Sequence, residues 1–520
     1  MMRELSDPLL SRCGEFIAEH LGLHFPPERA ADLQRGIRLA AEEFGYAETE
    51  PFARWLLSPP FMRERMEILA SHLTVGETYF FRDQRAFETL ENQILPELIR
   101  LRRGGGQRLR LWSAACCTGE EAYSLALSVR KVLPDLADWQ VTILGTDINP
   151  RFLGKAARGV FGEWSFRSTA PGFKEDYFTR SGDGRWEIAP EIRKMVSFRQ
   201  FNLAGDVYPS LVNDTNAMDV IFCRNVLIYF APGPAARVVR QLAPCLTEGG
   251  WLILGPNELS QVAEPNLIPR RFSGATLYQK DLADSGRLGA RTSPDEWEAE
   301  WEELTLPPAV AEFGAGAPPA PRSLADERVP VERVAAPSEV ESGPSAAYER
   351  ALTGYREGRY AETVETLLDL SRGESVEPQV LALLARTLAN QGRLSGALAI
   401  CDRLVAADKL NPAGHFLRGS VLQELGKPAD AVIAFKRTLY LDQDFVLAHF
   451  ALGNLARVQE RFSEADRHLA NALVLARRHH PEDLLPEADG LTAGRLVEIV
   501  ATLRGAAAGN RPSSRARVLP

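Results

Sequence analysis

Four short apolar runs, residues 109–112, 141–145, 220–222 and 251–254, alternate with stretches that carry apolar residues at helical spacing. That alternation predicts a doubly wound α/β sheet, parallel strands with helices on both faces. Such sheets bind ligands in the crevice outside the carboxyl ends of their strands. The segment Cys223-Arg-Asn-Val-Leu-Ile-Tyr-Phe230 follows the buried-strand pattern Met218-Asp-Val-Ile-Phe222, so Arg224, Asn225 and Tyr229 fall at and beyond a strand end. Polar groups clustered there point to a site and not to a core.

The sheet pattern spans residues 99–282, and the pattern changes on either side of it. Residues 1–98 read as an all-α cap, with helical periodicity in Pro8-Leu-Leu-Ser-Arg-Cys-Gly-Glu-Phe-Ile-Ala and in Ala30-Ala-Asp-Leu-Gln-Arg-Gly-Ile-Arg-Leu-Ala-Ala. Within the sheet region, Arg180-Ser-Gly-Asp-Gly-Arg-Trp-Glu-Ile combines a turn with a short alternating strand, which predicts a small antiparallel β insert at about residues 160–200. Residues 283–344 turn to Pro, Ala, Gly and Glu, too little apolar surface to offset ordering entropy, so they read as a flexible linker. Its acidic run at 295–303 carries two tryptophans and reads as a solvated charge run or a short docking segment.

Beyond the linker a repeat appears. Gly358-Arg-Tyr, Gly392-Arg-Leu and Gly426-Lys-Pro lie 34 residues apart, and the next step falls on Glu460-Arg-Phe. Small residues keep the same period at Ala351, Ala385, Gly419 and Gly453, and again at Ala397, Ala431 and Ala465, with Thr363 departing in the first unit. A 34-residue helix-turn-helix repeat of this kind is the tetratricopeptide pattern, here about four units over residues 345–480 that form an α-helical solenoid. Residues 481–520 read as a C-terminal helix and a disordered tail.

Five motifs in the first part of the chain occur in order: Thr74-Val-Gly-Glu-Thr78-Tyr-Phe-Phe-Arg82-Asp; Leu111-Trp-Ser-Ala-Ala-Cys-Cys-Thr118-Gly-Glu-Glu121; Ile143-Leu-Gly-Thr-Asp147-Ile-Asn-Pro150; Phe198-Arg-Gln-Phe-Asn202-Leu203; and the segment at Cys223. Together they resemble the CheR-type chemotaxis receptor methyltransferases over roughly the first 280 residues. The resemblance implies a Rossmann-like class I methyltransferase sheet and S-adenosylmethionine as methyl donor. It implies the glutamates of a chemoreceptor's cytoplasmic helical bundle as acceptors, and a cytoplasmic enzyme recruited to receptor arrays.

The loop after the first strand lacks the three-glycine dinucleotide fingerprint, and S-adenosylmethionine, having no pyrophosphate, needs none. Thr118 and Glu121 fit a capping box, Thr-x-x-Glu; the resemblance makes Glu121 a cofactor contact. Asp147 ends the next strand, where a carboxylate can accept from both ribose hydroxyls or serve as a turn residue; Asn149-Pro150 already supplies the cap of the following helix. An Asn after a strand is commonly a turn former, and the resemblance places Asn202 and Leu203 at the adenine end. It also places Arg224 and Asn225 at the cofactor, and an unpaired Arg at a strand end is costly to bury. Thr78 and Arg82 lie between cap and sheet, where the family's residues reach over the cofactor toward the acceptor. Gly76 stands where the family usually has Asn, so backbone groups there would replace a side-chain contact. Arg82 and Tyr229 are the expected catalytic pair, holding the acceptor oxygens in line; their plain alternatives are a surface arginine and a core aromatic.

A glutamate carboxyl ordinarily titrates at about 4.3 and is ionised at neutral pH, so such an enzyme has to position its acceptor and not deprotonate it. A net charge of −9 gives no footprint for a polyanion, which argues against nucleic acid as acceptor. The six cysteines, at 13, 116, 117, 223, 245 and 401, show no Cys-x-x-Cys spacing, so reduced thiols and no metal are expected. No run of about 18 apolar residues suggests membrane insertion. Arg29, Arg35 and Arg38 could form a receptor-facing basic face on the cap, diluted by Glu28, Asp32, Glu42 and Glu43. Members of the family that tether to a receptor's C-terminal peptide carry a longer Gly-rich loop in this insert, so the resemblance implies that this chain, with its short turn at 181–185, is independent of that tether and that its repeats hold an unidentified protein partner for recruitment or regulation. Two alternatives are a class I methyltransferase with another acceptor and a catalytically weak signalling scaffold.

Overall fold

The computed structural model describes residues 5–58, 63–104, 106–262, 264–272, 275–281, 344–372 and 376–509. The expected linker, apart from Pro344, lies outside the described residues, as do its acidic tryptophan-bearing run and the tail from residue 510.

The apolar runs become strands β1 (Arg108–Ala114), β2 (Gln140–Asp147), β6 (Val196–Gln200), β7 (Met218–Cys223) and β8 (Leu246–Leu254), with the short β3 (Val160–Phe161), β4 (Phe178–Arg180) and β5 (Trp186–Ile188) between them. The parallel part of the main sheet runs β6-β2-β1-β7-β8, with Leu111 level with both Ile143 and Val220. Strand side chains alternate between faces. Leu111 therefore packs with Tyr123 and Val129 of the helix Glu120–Val132, while Trp112 packs on the other face with Val238 and Leu242 of the helix Pro232–Leu242. Each such side chain, fully buried, contributes about 1.5–3 kcal/mol, so the sheet is held from both faces.

Two expectations need correction. The sheet is mixed: β9 (Leu267–Phe272) and β10 (Ala275–Lys280) form an antiparallel hairpin, and β10 pairs antiparallel with β8 at the edge. Pro269 and the charged pair Arg270-Arg271 hide that strand in the sequence, and an edge position tolerates them. The antiparallel insert exists as a three-stranded sheet of order β3-β5-β4, but the interval 160–200 overreaches, since β6 belongs to the main sheet.

The N-terminal helices Asp7–Leu21, Ala30–Glu43, Thr49–Leu56 and Arg63–Leu73 pack around Ile17, Ile37, Phe52 and Leu69. The first ends at Gly22, in the left-handed region at φ 73°, where a Cβ would lie 2.3 Å from the Phe230 ring. Glycine there lets the cap close on the loop after β7, and the His24 amide donates to the Tyr229 carbonyl at 2.7 Å. The arginines of the expected basic face are engaged by neighbouring acids: Arg29, at the N-cap of the second helix, and Arg35 share Asp32, and Arg38 pairs with Glu42.

The C-terminal part is an α-solenoid of helix pairs: Pro344–Arg356 with Tyr360–Leu370, Pro378–Asn390 with Leu394–Ala407, Pro412–Glu424 with Pro428–Leu441, and Val446–Val458 with Phe462–Ala476. A further helix, Ala493–Gly509, closes it. Gly358, Gly392 and Gly426 all turn with φ between 69° and 76°, and Glu460 adopts the same left-handed conformation at φ 59°. The small residues sit where paired helices cross: at Gly419 a Cβ would fall 2.6 Å from Phe435, and at Gly453 2.7 Å from Leu469.

This array lies along the amino ends of the parallel strands. Gly358 packs on Pro244 just before β8, Gly392 on Ala217 and Thr247, and Gly426 on Gln140 at the start of β2. Its anchor is Glu424, a buried carboxylate paired with Arg108 and, at 3.3 Å, with Arg110, and 3.4 Å from Asn216 Nδ2. Burial alone would raise the Glu424 pKa; the two guanidiniums outweigh it and hold the carboxyl below its ordinary value.

Candidate functional site

At the opposite edge, the carboxyl ends of β1, β2, β6 and β7 and the helical cap enclose a cleft. Thr78, Arg82, Glu121, Asp147, Asn202, Leu203, Arg224, Asn225 and Tyr229 all line it. Gly76 lies between two lining residues, Val75 and Glu77, and is not itself a wall. A Cβ at Gly76 would come 2.9 Å from the Phe152 ring, and Phe152 does line the cleft. The missing side chain is thus replaced by a phenylalanine from the helix Pro150–Arg158.

The loop after β1 folds tightly against the end of β2. The Cys116 amide donates to the Thr146 carbonyl at 2.7 Å and the Cys117 amide to Asp147 Oδ2 at 2.9 Å. Ala115 and Cys117 adopt φ of 64° and 51°, as do Phe81, Asp83 and Asn225 at 54–66° in the other loops around the cleft. These five left-handed non-glycine residues beside one crevice are local strain that the surrounding fold has to hold in place, as at many functional sites.

Asp147 also accepts from the Asn149 amide at 2.8 Å through Oδ1, so both oxygens already take one backbone donor while keeping capacity for another. Burial raises its pKa to about 6, against the lowering effect of those amide donors. Asn149 caps the next helix as expected, its Oδ1 accepting from the Arg151 and Phe152 amides.

Glu121 is not half of a capping box. Gly119 stands at the N-cap, Thr118 Oγ1 donates to Glu120 Oε2 at 2.6 Å, and Glu121 faces inward to accept from Ser113 Oγ at 2.7 Å. Its pKa is raised by burial in spite of the Arg224 guanidinium 3.8 Å away. Arg224 is not unpaired either: Nη2 bonds Asp83 at 2.8 Å and Nη1 donates to the Arg82 carbonyl at 2.6 Å, tying the segment between cap and sheet to β7. Arg82 Nη1 donates to the Glu77 carbonyl, and Tyr229 sits half-buried against the cap with the Arg29 guanidinium 5.5 Å from its ring centroid. Burial pushes the thiols of Cys116, Cys117 and Cys223 well up, so they are inert hydrophobes here.

Sequence reasoning missed Glu258. This side chain, 1% exposed, accepts from the amides of Gly255, Asn225, Val226 and Leu227 at 2.7–2.8 Å, which fixes the loop bearing Asn225 and Tyr229. Locally a Glu three residues after Gly255 signals only a helix-start cap, which it forms; its other three partners lie about thirty residues upstream and leave no trace in the sequence. Leu21, Leu23 and Phe230, which form an apolar group with Phe201 and Leu203, were missed as well.

The profile of the family described as "CheR methyltransferase, SAM binding domain" matches residues 76–269. A "Probable chemotaxis protein methyltransferase" of Rhizobium etli is 35% identical over 217 residues, 41% of this chain and 78% of that protein. "Chemotaxis protein methyltransferase 1" of Pseudomonas aeruginosa is 39% identical over 196 residues, 37% of this chain and 69% of that protein. The "Probable biofilm formation methyltransferase WspC" of Pseudomonas putida is 28% identical over 462 residues, 87% of this chain and 97% of that protein.

With the sheet, the cleft and these matches, the chain is an S-adenosylmethionine-dependent methyltransferase. It belongs to the CheR family of chemotaxis protein methyltransferases. The cleft fits the donor chemically. Leu21, Leu23, Phe201, Leu203 and Phe230 offer an apolar bed for a flat base, and Asp147 and Glu121 offer carboxylates to a diol, an ammonium or a sulfonium. Arg224 Nε is buried with no hydrogen-bond partner, a spare donor in the same wall. Among the described residues, no cluster could hold a metal ion and no helix is long and apolar enough to cross a membrane.

Proposed function

We propose that this enzyme methyl-esterifies glutamate side chains in the cytoplasmic helical bundle of a chemoreceptor. In this reading the cap is residues 1–98, the methyltransferase domain 99–282 with its β insert, the linker 283–344, and the solenoid a set of tetratricopeptide repeats over 345–480 that recruits or responds to a protein partner. The observation that carries the reading is the convergence of five separated motifs on one cleft at the carboxyl edge of the sheet.

Bound S-adenosylmethionine supplies an electrophilic methyl group on a sulfonium. Asp147 holds the ribose through its free acceptor capacity, and Asn202 and Leu203 border the base. Glu121, Arg224 and Asn225 hold the amino-acid end, with Thr78 and the Gly76 backbone closing over it. Arg82 and Tyr229 orient the acceptor carboxylate in line with the methyl carbon. No residue has to remove a proton, so catalysis lies in orientation and in excluding water from the cleft. An over-tight Arg82 pair would blunt the nucleophile; its bond to the Glu77 carbonyl shares that guanidinium between two acceptors.

The full-length likeness to a probable biofilm formation methyltransferase favours a receptor of that kind of signalling system as the acceptor. The test is transfer from methyl-labelled S-adenosylmethionine to the cytoplasmic fragment of a receptor from the same cell, read as alkali-labile label released as methanol. The expected result is transfer that falls by about two orders of magnitude in Arg82→Ala, the scale of a lost positioning group. Alkali-stable label would mean a different acceptor chemistry.

A further inference from the structure

We infer that Arg495, on the C-terminal helix Ala493–Gly509, is a positioning residue for methyl-donor binding: it fixes from behind the loop that carries Asn202 and Leu203. The inference rests on the reading of that cleft as the donor site.

The loop leaves β6 at Gln200. Its front, Phe201, Asn202 and Leu203, lines the cleft. Its rear faces a cavity of about 510 Å³ between the sheet and the C-terminal helices, lined by Gln200, Asp206, Val207 and Arg495 among others. Phe201 and Leu203 are buried with Trp112 and Tyr208, so packing holds the apolar side of the loop, while on the side that faces the cavity polar ties set the positions of Asn202 and Asp206. One nitrogen supplies two of them: Arg495 Nη2 donates to Asp206 Oδ2 at 2.7 Å and to the Gln200 carbonyl at 3.0 Å, joining both ends of the loop to one guanidinium. The same Asp206 Oδ2 accepts from the Asn202 amide at 2.7 Å, so the carboxylate that Arg495 orients is the one that orients Asn202. Asn202 in turn donates through Nδ2 to the His20 carbonyl at 2.7 Å, beside the apolar bed at Leu21.

The Arg495 and Asp206 side chains are each 12% exposed, which strengthens the pair relative to one in water. Gly490, just before the helix at φ 94°, lies where a Cβ would be 3.2 Å from Val207, so backbone too approaches this loop from behind. Two of the contacts between the C-terminal region and the sheet region differ in what they reach. At Glu424 it grips the amino ends of the strands, far from the cleft; at Arg495 it reaches a wall of the cleft. A change in how the helices are seated would be felt as a change in donor affinity.

The test is the equilibrium dissociation constant for S-adenosylmethionine on the full chain, together with the donor KM and kcat, in Arg495→Ala, Arg495→Lys and Asp147→Asn. Loss of a charge-assisted hydrogen bond of this kind should raise Kd and KM for the donor about tenfold in Arg495→Ala, with kcat at saturating donor kept within about twofold. Arg495→Lys, whose single ammonium can reach Asp206 but not both acceptors with the same geometry, should raise Kd about threefold; it supplies the comparison if the alanine variant does not fold. Donor affinity unchanged in both Arg495 variants, while Asp147→Asn weakens it, would overturn the positioning role alone. Affinity unchanged in Asp147→Asn as well would overturn the assignment of the cleft, and the positioning role with it. A fall in kcat with donor KM unchanged would mark Arg495 as a fastener of the fold and not a determinant of donor binding.

Discussion

The two edges of the parallel sheet use the same residue types in opposite ways. At the amino edge the charges are spent inside the fold: Arg108 and Arg110 close on Glu424, and Asp219 accepts from the Arg110 amide and from Arg102. At the carboxyl edge, burial raises the pKa of both Glu121 and Asp147, and Asp147 keeps acceptor capacity, whereas the two guanidiniums hold Glu424 below its ordinary value. A buried carboxylate held down by opposite charge makes a joint, and buried carboxylates that desolvation leaves raised make a site, because their unmet polar capacity is costly until a ligand satisfies it.

Removing one partner at the amino edge should have the largest effect. Glu424→Ala leaves two guanidiniums buried without their carboxylate, and stability to denaturant should fall by about 3–5 kcal/mol. A loss below about 1 kcal/mol in denaturant unfolding would mean that the helical array and the sheet part in solution, and the contrast between edges would fail. Next comes Glu258, which follows the paired logic of a joint although it stands at the site edge. Glu258→Ala strips the acceptor from several backbone amides and should cost about 3 kcal/mol, with methyl transfer lowered well beyond what the stability change explains. Thermal unfolding and single-turnover transfer on the same sample separate the two effects. Glu258→Gln should recover only part, since its amide NH2 faces the same donors.

What the sequence made legible follows from locality. Strands, helix pairs and the cap of the helix after Asp147 each depend on residues a few positions apart, so periodicity and Asn149-Pro150 reveal them. The site wall was legible through Arg82, Asp147 and Arg224 because each sits inside a motif. Their partners were not. Asp83 is adjacent to Arg82 in the chain yet bonds Arg224, which is 141 residues away, and nothing local announces it. Glu258 and Glu424 read as ordinary glutamates after a strand and at a helix end; only the tertiary fold gives them buried roles. Gly76 looks like the loss of a contact until Phe152 is seen filling its place. The antiparallel edge strand was missed because Pro269, Arg270 and Arg271 suit an edge, where the usual apolar alternation is not required.

Protonation of Asp147 has a smaller effect but separates the two edges most directly, because the same proton acts in opposite directions on fold and site. Burial raises the Asp147 pKa from 3.8 to about 6, so the folded protein takes up this proton more readily than the unfolded chain does. Its contribution to stability is therefore largest below pH 4 and is lost as pH rises through 6. If Asp147 holds the ribose as proposed, donor binding runs the other way, since the ionised form has more acceptor capacity for the hydroxyls. Between pH 8 and pH 5 the dissociation constant for S-adenosylhomocysteine should rise about tenfold, or about 1.4 kcal/mol, with its midpoint near pH 6. In Asp147→Asn the affinity should be weak and flat over that range, and the stability gained by the unliganded protein toward low pH should shrink. Titration calorimetry across the range, paired with unliganded melting curves, reads both signs at once. If affinity and stability instead fell together toward pH 5, Asp147 would be a structural carboxylate like Glu424, and the carboxyl edge would be another joint.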